Sequence, residues 1–124
     1  MKKKILIVDD SAFVREEMKA MFEGTQYEPA GWAKTGENAL EMLKTMVPDV
    51  VTMDIILPGM DGLEATRVIK RSRPEIKVLI VSSLAYDETF AEADKSGADG
   101  FIFKPFDQKI LLEALDSILC EKEA

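Results

Sequence analysis

Five polar residues of this 124-residue chain have the types and positions that phosphoryl-transfer chemistry needs. All of them lie at the ends of short apolar runs, and they are Asp9, Asp10, Asp54, Ser82 and Lys104. Carboxylates can bind a divalent cation or act as a nucleophile, a hydroxyl can donate a hydrogen bond, and an ammonium group can offset negative charge. If one fold brings them together, they form a site suited to phosphoryl transfer.

Asp54 is the candidate nucleophile. It ends the apolar run at residues 50–53, and the turn residues at 58–62 follow it closely. In open parallel sheets, ligands and reactive groups lie at the carboxyl ends of strands. Aspartate is also common in turns, so Asp54 taken alone is consistent with either role. An ionised carboxylate needs no general base to attack phosphorus.

The three carboxylates would repel one another at one strand-end crevice, and a divalent cation would relieve that repulsion. We infer a Mg²⁺ site, because Mg²⁺ prefers hard oxygen ligands and takes only one or two carboxylates, which leaves one free to react. Asp9 and Asp10 could instead be an anionic pair favoured by a helix dipole. Ser82 could be a capping hydroxyl, and Lys104 a solvated charge.

The elements that must position these residues follow a βα repeat. Four of the five apolar runs are continuous, as expected for parallel strands covered by helices on both faces. The second run contains Pro29 and Gly31, which weaken strand pairing, so we expect it at an edge of the sheet. The predicted strands are residues 5–8, 28–33, 50–53, 78–81 and 101–103.

Helical patterns lie between and after these strands. The fourth, at residues 87–96, has a narrow apolar face, and we expect it to be the least firmly packed helix. The other patterns are a first helix that ends at Gly24, a second at residues 36–46, a third at 63–72 and a fifth after Asp107. Thr35 and Asp87 are the predicted N-caps of the second and fourth helices.

The predicted fold class is therefore α/β, a single domain spanning residues 1–124 with a flavodoxin-like (βα)5 doubly wound parallel sheet. The expected strand order is 2-1-3-4-5, which makes strands 1 and 3 neighbours. Asp9 and Asp10 would then face Asp54 at one end of the sheet.

Composition excludes several classes of function. The formal charge of -7, from 16 Lys and Arg against 23 Asp and Glu, argues against direct nucleic-acid binding. No apolar run is long enough for a signal peptide or a membrane span, and we expect a cytoplasmic protein without membrane insertion. The chain has no histidine, so any phosphohistidine must come from a partner. Cys120, the single cysteine, cannot form an internal disulfide.

The chain resembles the receiver domains of two-component response regulators, and the CheY-like chemotaxis type in particular. The resemblance covers essentially the whole chain. It rests on LIVDDSAFVR at residues 6–15, MD at 53–54, LPGMDG at 57–62, VSS at 81–83 and KPF at 104–106.

The resemblance implies roles for the site residues. Asp54 would be the phosphoacceptor, with a histidine kinase as the phosphodonor. Asp9, Asp10 and Asp54 would hold Mg²⁺ together with the backbone carbonyl of Ile56. Lys104 would pair with the phosphoryl oxygens. The protein would be a signalling phosphoacceptor with slow autodephosphorylation rather than an enzyme, and a monomer.

The resemblance also implies a switch. Ser82 and Phe101 would be the switch residues, and the peptide bond between Lys104 and Pro105 would be cis. The output face would be helix 4, strand 5 and helix 5, read by a target such as a flagellar motor switch protein. Phe101 could instead be an ordinary core residue.

Two positions flanking the site depart from the commonest family pattern. Ile56 and Leu84 are apolar where some members carry polar residues that orient the hydrolytic water, so we expect a slowly hydrolysing acyl phosphate.

Trp32 is placed on the weak second strand and not beside Asp54. Its fluorescence is therefore expected to report poorly on Mg²⁺.

Other functions remain to be compared with this one. A hydrolase of the haloacid-dehalogenase type would need a second carboxylate at the position of Ile56. A flavin-binding module would need a Ser-, Thr- or Gly-rich loop where Asp9 and Asp10 stand. A degenerate receiver that acts only as an interaction module would fit the same architecture. A receiver of another pathway, or one from a longer regulator with an effector domain after Ala124, also remains open.

Overall fold

A computed structural model describes residues 2–84 and 86–119, so Cys120 and the acidic tail after it lie outside the described residues. Five strands pair in parallel in one sheet of order β2-β1-β3-β4-β5, which confirms the predicted flavodoxin-like class and the edge position of β2. In chain order the elements are β1 (Lys3–Val8), α1 (Ala12–Phe22), β2 (Tyr27–Ala33), α2 (Gly36–Met42), β3 (Val50–Met53), α3 (Gly62–Ser72), β4 (Lys77–Ser82), α4 (Asp87–Lys95), β5 (Gly100–Phe103) and α5 (Gln108–Leu119).

The central strands are mostly apolar because both faces of the sheet are covered. On β1, Leu6 and Val8 belong to the core beneath α2, α3 and α4, while Ile5 and Ile7 belong to the core beneath α1 and α5. Neighbouring side chains of a strand point to opposite faces, so a strand buried on both sides has no polar face. The continuous apolar runs in the sequence follow from this.

The edge strand β2 is irregular. Ile5 pairs with Pro29 and Leu6 pairs with Gly31, so the register shifts and Ala30 has no partner opposite it. Proline cannot donate a hydrogen bond to a strand ladder, and an extra residue of this kind bends the strand. The same residues that weaken the pattern in the sequence therefore make the irregularity in the sheet.

Most helices begin at a residue whose side chain accepts a hydrogen bond from the first turn. Thr35 caps α2 in this way, as predicted, and Asp61 caps α3. The predicted Asp87 cap of α4 is wrong. Tyr86 is the N-cap and makes no side-chain cap hydrogen bond, while Asp87 lies inside the first turn, where a negative charge meets the helix dipole favourably.

Two further helix predictions can be compared with the structure. The second helix is shorter than predicted, because α2 ends at Met42 and the chain tightens into turns in which the N–H groups of Lys44 and Thr45 bond three residues back. Ala93 is the single buried residue of α4, which agrees with the prediction that this helix is the least firmly packed. Within the described ranges, no helix is both long enough and apolar enough to span a bilayer.

Candidate functional site

The carboxyl ends of β1 and β3 bring the three carboxylates together. Val8 pairs with Met53 across these strands, and the N–H of Asp54 donates to the carbonyl of Val8 at 3.0 Å. Asp9 and Asp54 therefore each come directly after the last residue of their strand. Oxygens of Asp9, Asp10 and Asp54 all lie within 4.8 Å of one another. The pairing of β1 with β3 accounts for the closeness of Asp9 and Asp54.

Lys104 reaches the same carboxylates from the end of β5. Its Nζ lies 2.8 Å from Asp9 Oδ2 and 3.2 Å from Asp54 Oδ2. Its main chain is held by β4, because the Lys104 N–H donates to the carbonyl of Ser82 at 2.9 Å. The peptide bond between Lys104 and Pro105 is cis, the form that the resemblance implies.

Burial divides the carboxylates into two kinds. Asp9 is 3% exposed and Asp54 is 8% exposed, whereas Asp10 is exposed. Buried charges need partners, and Lys104 supplies one to both buried carboxylates. With all three carboxylates ionised, one ammonium group leaves the cluster a formal charge of −2. Asp10 lies on its open side.

The environment shifts two pKa values in the cluster. Burial raises the pKa of Asp54 above its ordinary value, and the charge of Asp9 raises it further, while Lys104 and a backbone hydrogen bond from Ile56 oppose the shift. Burial acts to lower the pKa of Lys104, but its hydrogen bonds and charge interactions with Asp9 and Asp54 outweigh burial, so the pKa is raised. Lys104 is therefore held in its charged form.

These groups fit a magnesium ion. Hard carboxylate oxygens, a net negative charge and one exposed ligand are what Mg²⁺ uses in proteins. Ile56 follows Asp54 by two residues, and its backbone hydrogen bond to the Asp54 carboxylate places its main chain beside the cluster. The role of the Ile56 carbonyl as a ligand stays a prediction.

Unlike the charged residues, Ser82 and Phe101 make their side-chain contacts within a loop and with neighbouring aromatic rings. Ser82 is buried at the end of β4, and its Oγ accepts a hydrogen bond from the N–H of Leu84 at 3.0 Å. Phe101 is half-buried in β5, and its ring centroid lies 4.8 Å from that of Phe90 and 5.4 Å from that of Phe103. Thus Ser82 is bonded within its own loop, and Phe101 belongs to an aromatic cluster. The switch roles stay predictions.

Residues 5–116 match the response regulator receiver domain family. The chain belongs to this family. This receiver is 41% identical over 118 residues to the chemotaxis protein CheY of Thermotoga maritima, with 95% of this chain and 98% of that protein covered. A methylesterase/glutaminase of Halalkalibacterium halodurans is 40% identical over 125 residues, which cover 98% of this chain but 36% of that protein.

A solved structure extends the comparison. The CheX–CheY–BeF3–Mg²⁺ complex of Borrelia burgdorferi matches the receiver with a TM-score of 0.91 at 29% identity, covering 96% of this chain and 90% of that one. That complex contains a receiver-like chain of the same fold bound to a second protein. The similarity between the two structures extends over the whole domain and is not limited to one motif.

The loop after β3 is held by two contacts that the sequence did not reveal. A Cβ on Gly62 would lie 1.9 Å from the carbonyl oxygen of Asp54, so only glycine lets α3 begin this close to the candidate phosphoacceptor. The carboxylate of Glu37 accepts a hydrogen bond from the N–H of Met60 at 3.0 Å and so ties the loop to α2. The Asp61–Gly62 pair was a visible turn signal, but its closeness to Asp54 depends on the fold.

Trp32 makes a contact with the site that the sequence did not predict. It lies on β2 as predicted, but its indole N–H donates to the main-chain carbonyl of Asp9 at 2.7 Å. Trp32 pairs with Ile7 in the sheet, two residues before Asp9. The predicted order 2-1-3 already makes β2 a neighbour of β1, and that was the signal that could have found the contact.

Proposed function

We propose that this receiver is a phosphoacceptor in chemotaxis signalling, which takes a phosphoryl group from a histidine kinase onto Asp54. The single observation that carries the proposal is the contact of Lys104 with both Asp9 and Asp54. A fixed positive charge then lies within hydrogen-bond reach of both the nucleophile and an adjacent carboxylate. The CheY relatives support chemotaxis as the pathway.

In the proposed reaction, a carboxylate oxygen of Asp54 attacks the phosphorus of a phosphohistidine. The new P–O bond forms as the P–N bond breaks, and the electron pair of that bond leaves with the imidazole of the kinase. Asp54 reacts as the carboxylate, so no base is required. The product is an aspartyl phosphate that stays on the protein, which is why we regard the receiver as a signalling phosphoacceptor rather than an enzyme.

The surrounding residues would position the phosphoryl group. Asp9, Asp10, Asp54 and the carbonyl of Ile56 would hold Mg²⁺. When bound, that ion supplies positive charge beside the phosphoryl oxygens. Lys104 would transfer one of its hydrogen bonds from a carboxylate to the new phosphoryl group, because its ammonium group already lies between Asp9 and Asp54.

The output would be a shift between two arrangements of the receiver. The Ser82 hydroxyl, now an acceptor for Leu84, retains a proton that it can donate to a phosphoryl oxygen. Movement of its loop would alter the aromatic cluster of Phe90, Phe101 and Phe103 on α4 and β5. A flagellar motor switch protein is the proposed target of this face.

A second candidate is a receiver of another pathway or of a longer regulator. The observation in its favour is that the match to the Halalkalibacterium halodurans methylesterase/glutaminase covers 98% of this chain but only 36% of that protein. The site chemistry would be the same. Pull-down of purified motor-switch proteins with BeF3-treated receiver would separate the two, since only a chemotaxis receiver should bind them.

Phosphorylation can be tested by intact mass after incubation with acetyl phosphate and Mg²⁺. We expect one phosphoryl group on the wild type and none on Asp54→Asn. Asp61→Asn is the matched control, because Asp61 is an exposed carboxylate in the same loop and asparagine preserves its role as the α3 cap. A phosphoryl group that persists in Asp54→Asn, or no gain in the wild type, would refute the proposal.

A further inference from the structure

We propose that Trp32 is a positioning residue for the acid cluster, which fixes the peptide between Asp9 and Asp10 so that Mg²⁺ binding depends on a chain of contacts from Arg15 through Trp32 to Asp9. This inference rests on the proposed function, because it concerns the same cation. It adds a residue outside the ligand set, on the edge strand rather than at the end of a central one.

All four polar groups of Asp9 are engaged. Its N–H donates to the carbonyl of Ala33 at 3.0 Å, as part of the contact between β1 and β2. Its Oδ1 accepts from the N–H of Ser11 at 2.9 Å, and its Oδ2 accepts from Lys104 at 2.8 Å. The carbonyl remains, and the partner that it has is the indole N–H of Trp32 at 2.7 Å.

That carbonyl belongs to the peptide unit from which Asp10 projects. Asp9 is 3% exposed, so a carbonyl that lost its donor would either stay buried without a partner or rotate toward solvent. Asp10 is exposed, and its carboxylate has no hydrogen-bond partner within residues 2–84 and 86–119. The point from which the Asp10 carboxylate projects is therefore set by its main chain, and Trp32 holds the carbonyl of that peptide unit.

The indole ring is itself in contact with two cations. The guanidinium carbon of Arg15 lies 3.9 Å from the ring centroid, and Lys34 Nζ lies 5.4 Å from it. Arg15 stands on α1, which begins just after Asp10. Trp32 thus joins both ends of the β1–α1 loop, through a hydrogen bond to Asp9 and a cation–π contact to Arg15.

This contact reverses the fluorescence expectation from the sequence. Trp32 is the single tryptophan of the chain, and its N–H bonds to a residue that would hold the ion. A charge bound by Asp9 and Asp10 changes the field at that carbonyl and so at the indole. We expect Mg²⁺ to change Trp32 emission in the wild type and not in Asp10→Asn.

The main test compares Trp32→Phe with the wild type by isothermal titration with Mg²⁺. Phenylalanine keeps an aromatic ring for Arg15 and removes the N–H donor. We expect the dissociation constant to rise about three- to tenfold, which corresponds to the loss of one hydrogen bond. The amide ¹⁵N resonance of Asp10 should shift even without Mg²⁺, because its peptide unit is no longer fixed.

Tyr27→Phe is the matched control. Tyr27 lies on the same strand, and its hydroxyl donates to Asp116 on α5, far along the sheet from the acid cluster. The Tyr27→Phe variant should bind Mg²⁺ like the wild type even if the substitution loosens β2. Equal binding by Trp32→Phe and the wild type, or equal weakening in both variants, would overturn the inference.

Phosphorylation by acetyl phosphate adds a kinetic reading. In Trp32→Phe, the Mg²⁺ concentration for half-maximal rate should rise by the same factor, while the rate at saturating Mg²⁺ stays near that of the wild type. A lower rate at saturation with unchanged Mg²⁺ dependence would contradict a positioning role. If the wild type itself neither binds Mg²⁺ nor gains a phosphoryl group, the proposed function fails and this inference fails with it.

Discussion

Lys104 is the residue on which the electrostatic balance of the site depends. It contacts two carboxylates that are almost completely buried, and its own side chain is 23% exposed. Removing one partner of a buried ion pair costs more than the pair contributes, because the remaining charge is left uncompensated. Replacing Lys104 would leave two buried carboxylates without this partner, one at the end of β1 and one at the end of β3.

The variant Lys104→Met tests this balance, since methionine keeps much of the length and removes the charge. We expect a loss of about 1–3 kcal/mol in the free energy of unfolding at pH 7, less than for a fully buried pair because Lys104 is partly exposed. Mg²⁺ should stabilise the variant more than the wild type, because it meets a more negative cluster. Urea unfolding with and without Mg²⁺ measures both effects, and equal stabilisation by Mg²⁺ would contradict the second.

Asp54 has the opposite relation to stability. Its folded-state pKa is raised by burial and by Asp9, against the effect of Lys104. The folded state therefore binds the proton more tightly than the unfolded state, and stability falls as pH rises from about the ordinary value of 3.8 through the folded pKa. Above the folded-state pKa, the ionised Asp54 carries this cost in full.

We predict that Asp54→Asn is more stable than the wild type at pH 7 and that the difference shrinks as the pH is lowered toward 3.5. Asparagine keeps an oxygen that can accept from Lys104 and removes the buried charge. Unfolding free energies across this pH range give the result. A difference that is constant with pH, or one that matches Asp61→Asn, would show that the charge of Asp54 is not the cause.

At the scale of the elements, the loop between β3 and α3 requires glycine at position 62. Gly62→Ala would place a Cβ 1.9 Å from the Asp54 carbonyl oxygen, and a backbone atom cannot yield as a side chain can. We expect a loss of about 3 kcal/mol or more in unfolding free energy and slower phosphorylation of Asp54. Both can be measured on one preparation by denaturant unfolding and intact mass.

Gly24→Ala is the contrasting variant. Gly24 has a positive φ of 75°, but a Cβ there meets nothing within 4 Å. It should cost only about 1 kcal/mol and leave phosphorylation unchanged. If the two variants lose equal stability, close approach to Asp54 is not what requires glycine at position 62.

The strands and most helices could be predicted because local sequence and burial agree for them. Each predicted strand lies within two residues of the observed one, since both faces of the central strands are buried. The α4 cap and the end of α2 could not be predicted in the same way. Tyr86 has no capping side chain, and the last turns of α2 tighten without a glycine to signal it.

The site was predictable to the extent that strand order determined it. Asp9, Asp10 and Asp54 meet because they follow the neighbouring strands β1 and β3, and the long side chain of Lys104 reaches them from the end of β5, beyond β4. The bond of Ser82 to Leu84 and the bond of Trp32 to Asp9 depend on side-chain directions at loop ends, which residue type and spacing do not encode.

For the whole molecule, a cation bound at the acid cluster would add to global stability. The carboxylates stand at the ends of the two strands β1 and β3, which lie inside the sheet, so unfolding destroys the site. Mg²⁺ at ten times its dissociation constant should add about 1.4 kcal/mol to the free energy of unfolding and raise the melting temperature by several degrees.

Thermal unfolding with MgCl2, compared with NaCl at the same ionic strength, measures this effect. The comparison is needed because the chain carries a net charge of -7, and salt alone reduces self-repulsion. Asp10→Asn should lose most of the difference between the two salts. Equal stabilisation by both salts in the wild type would mean that screening, and not binding, is responsible.

The irregular β2 strand has a consequence for how copies of the receiver behave when crowded together. An open, regular sheet edge is a template on which a second molecule can add its own strand, and such growth leads to aggregates. Here one edge carries Pro29 and the unmatched Ala30, and the other edge is β5, a strand of four residues. Neither edge offers a long regular ladder, so we expect copies of the receiver to resist edge-to-edge pairing of their sheets at high concentration.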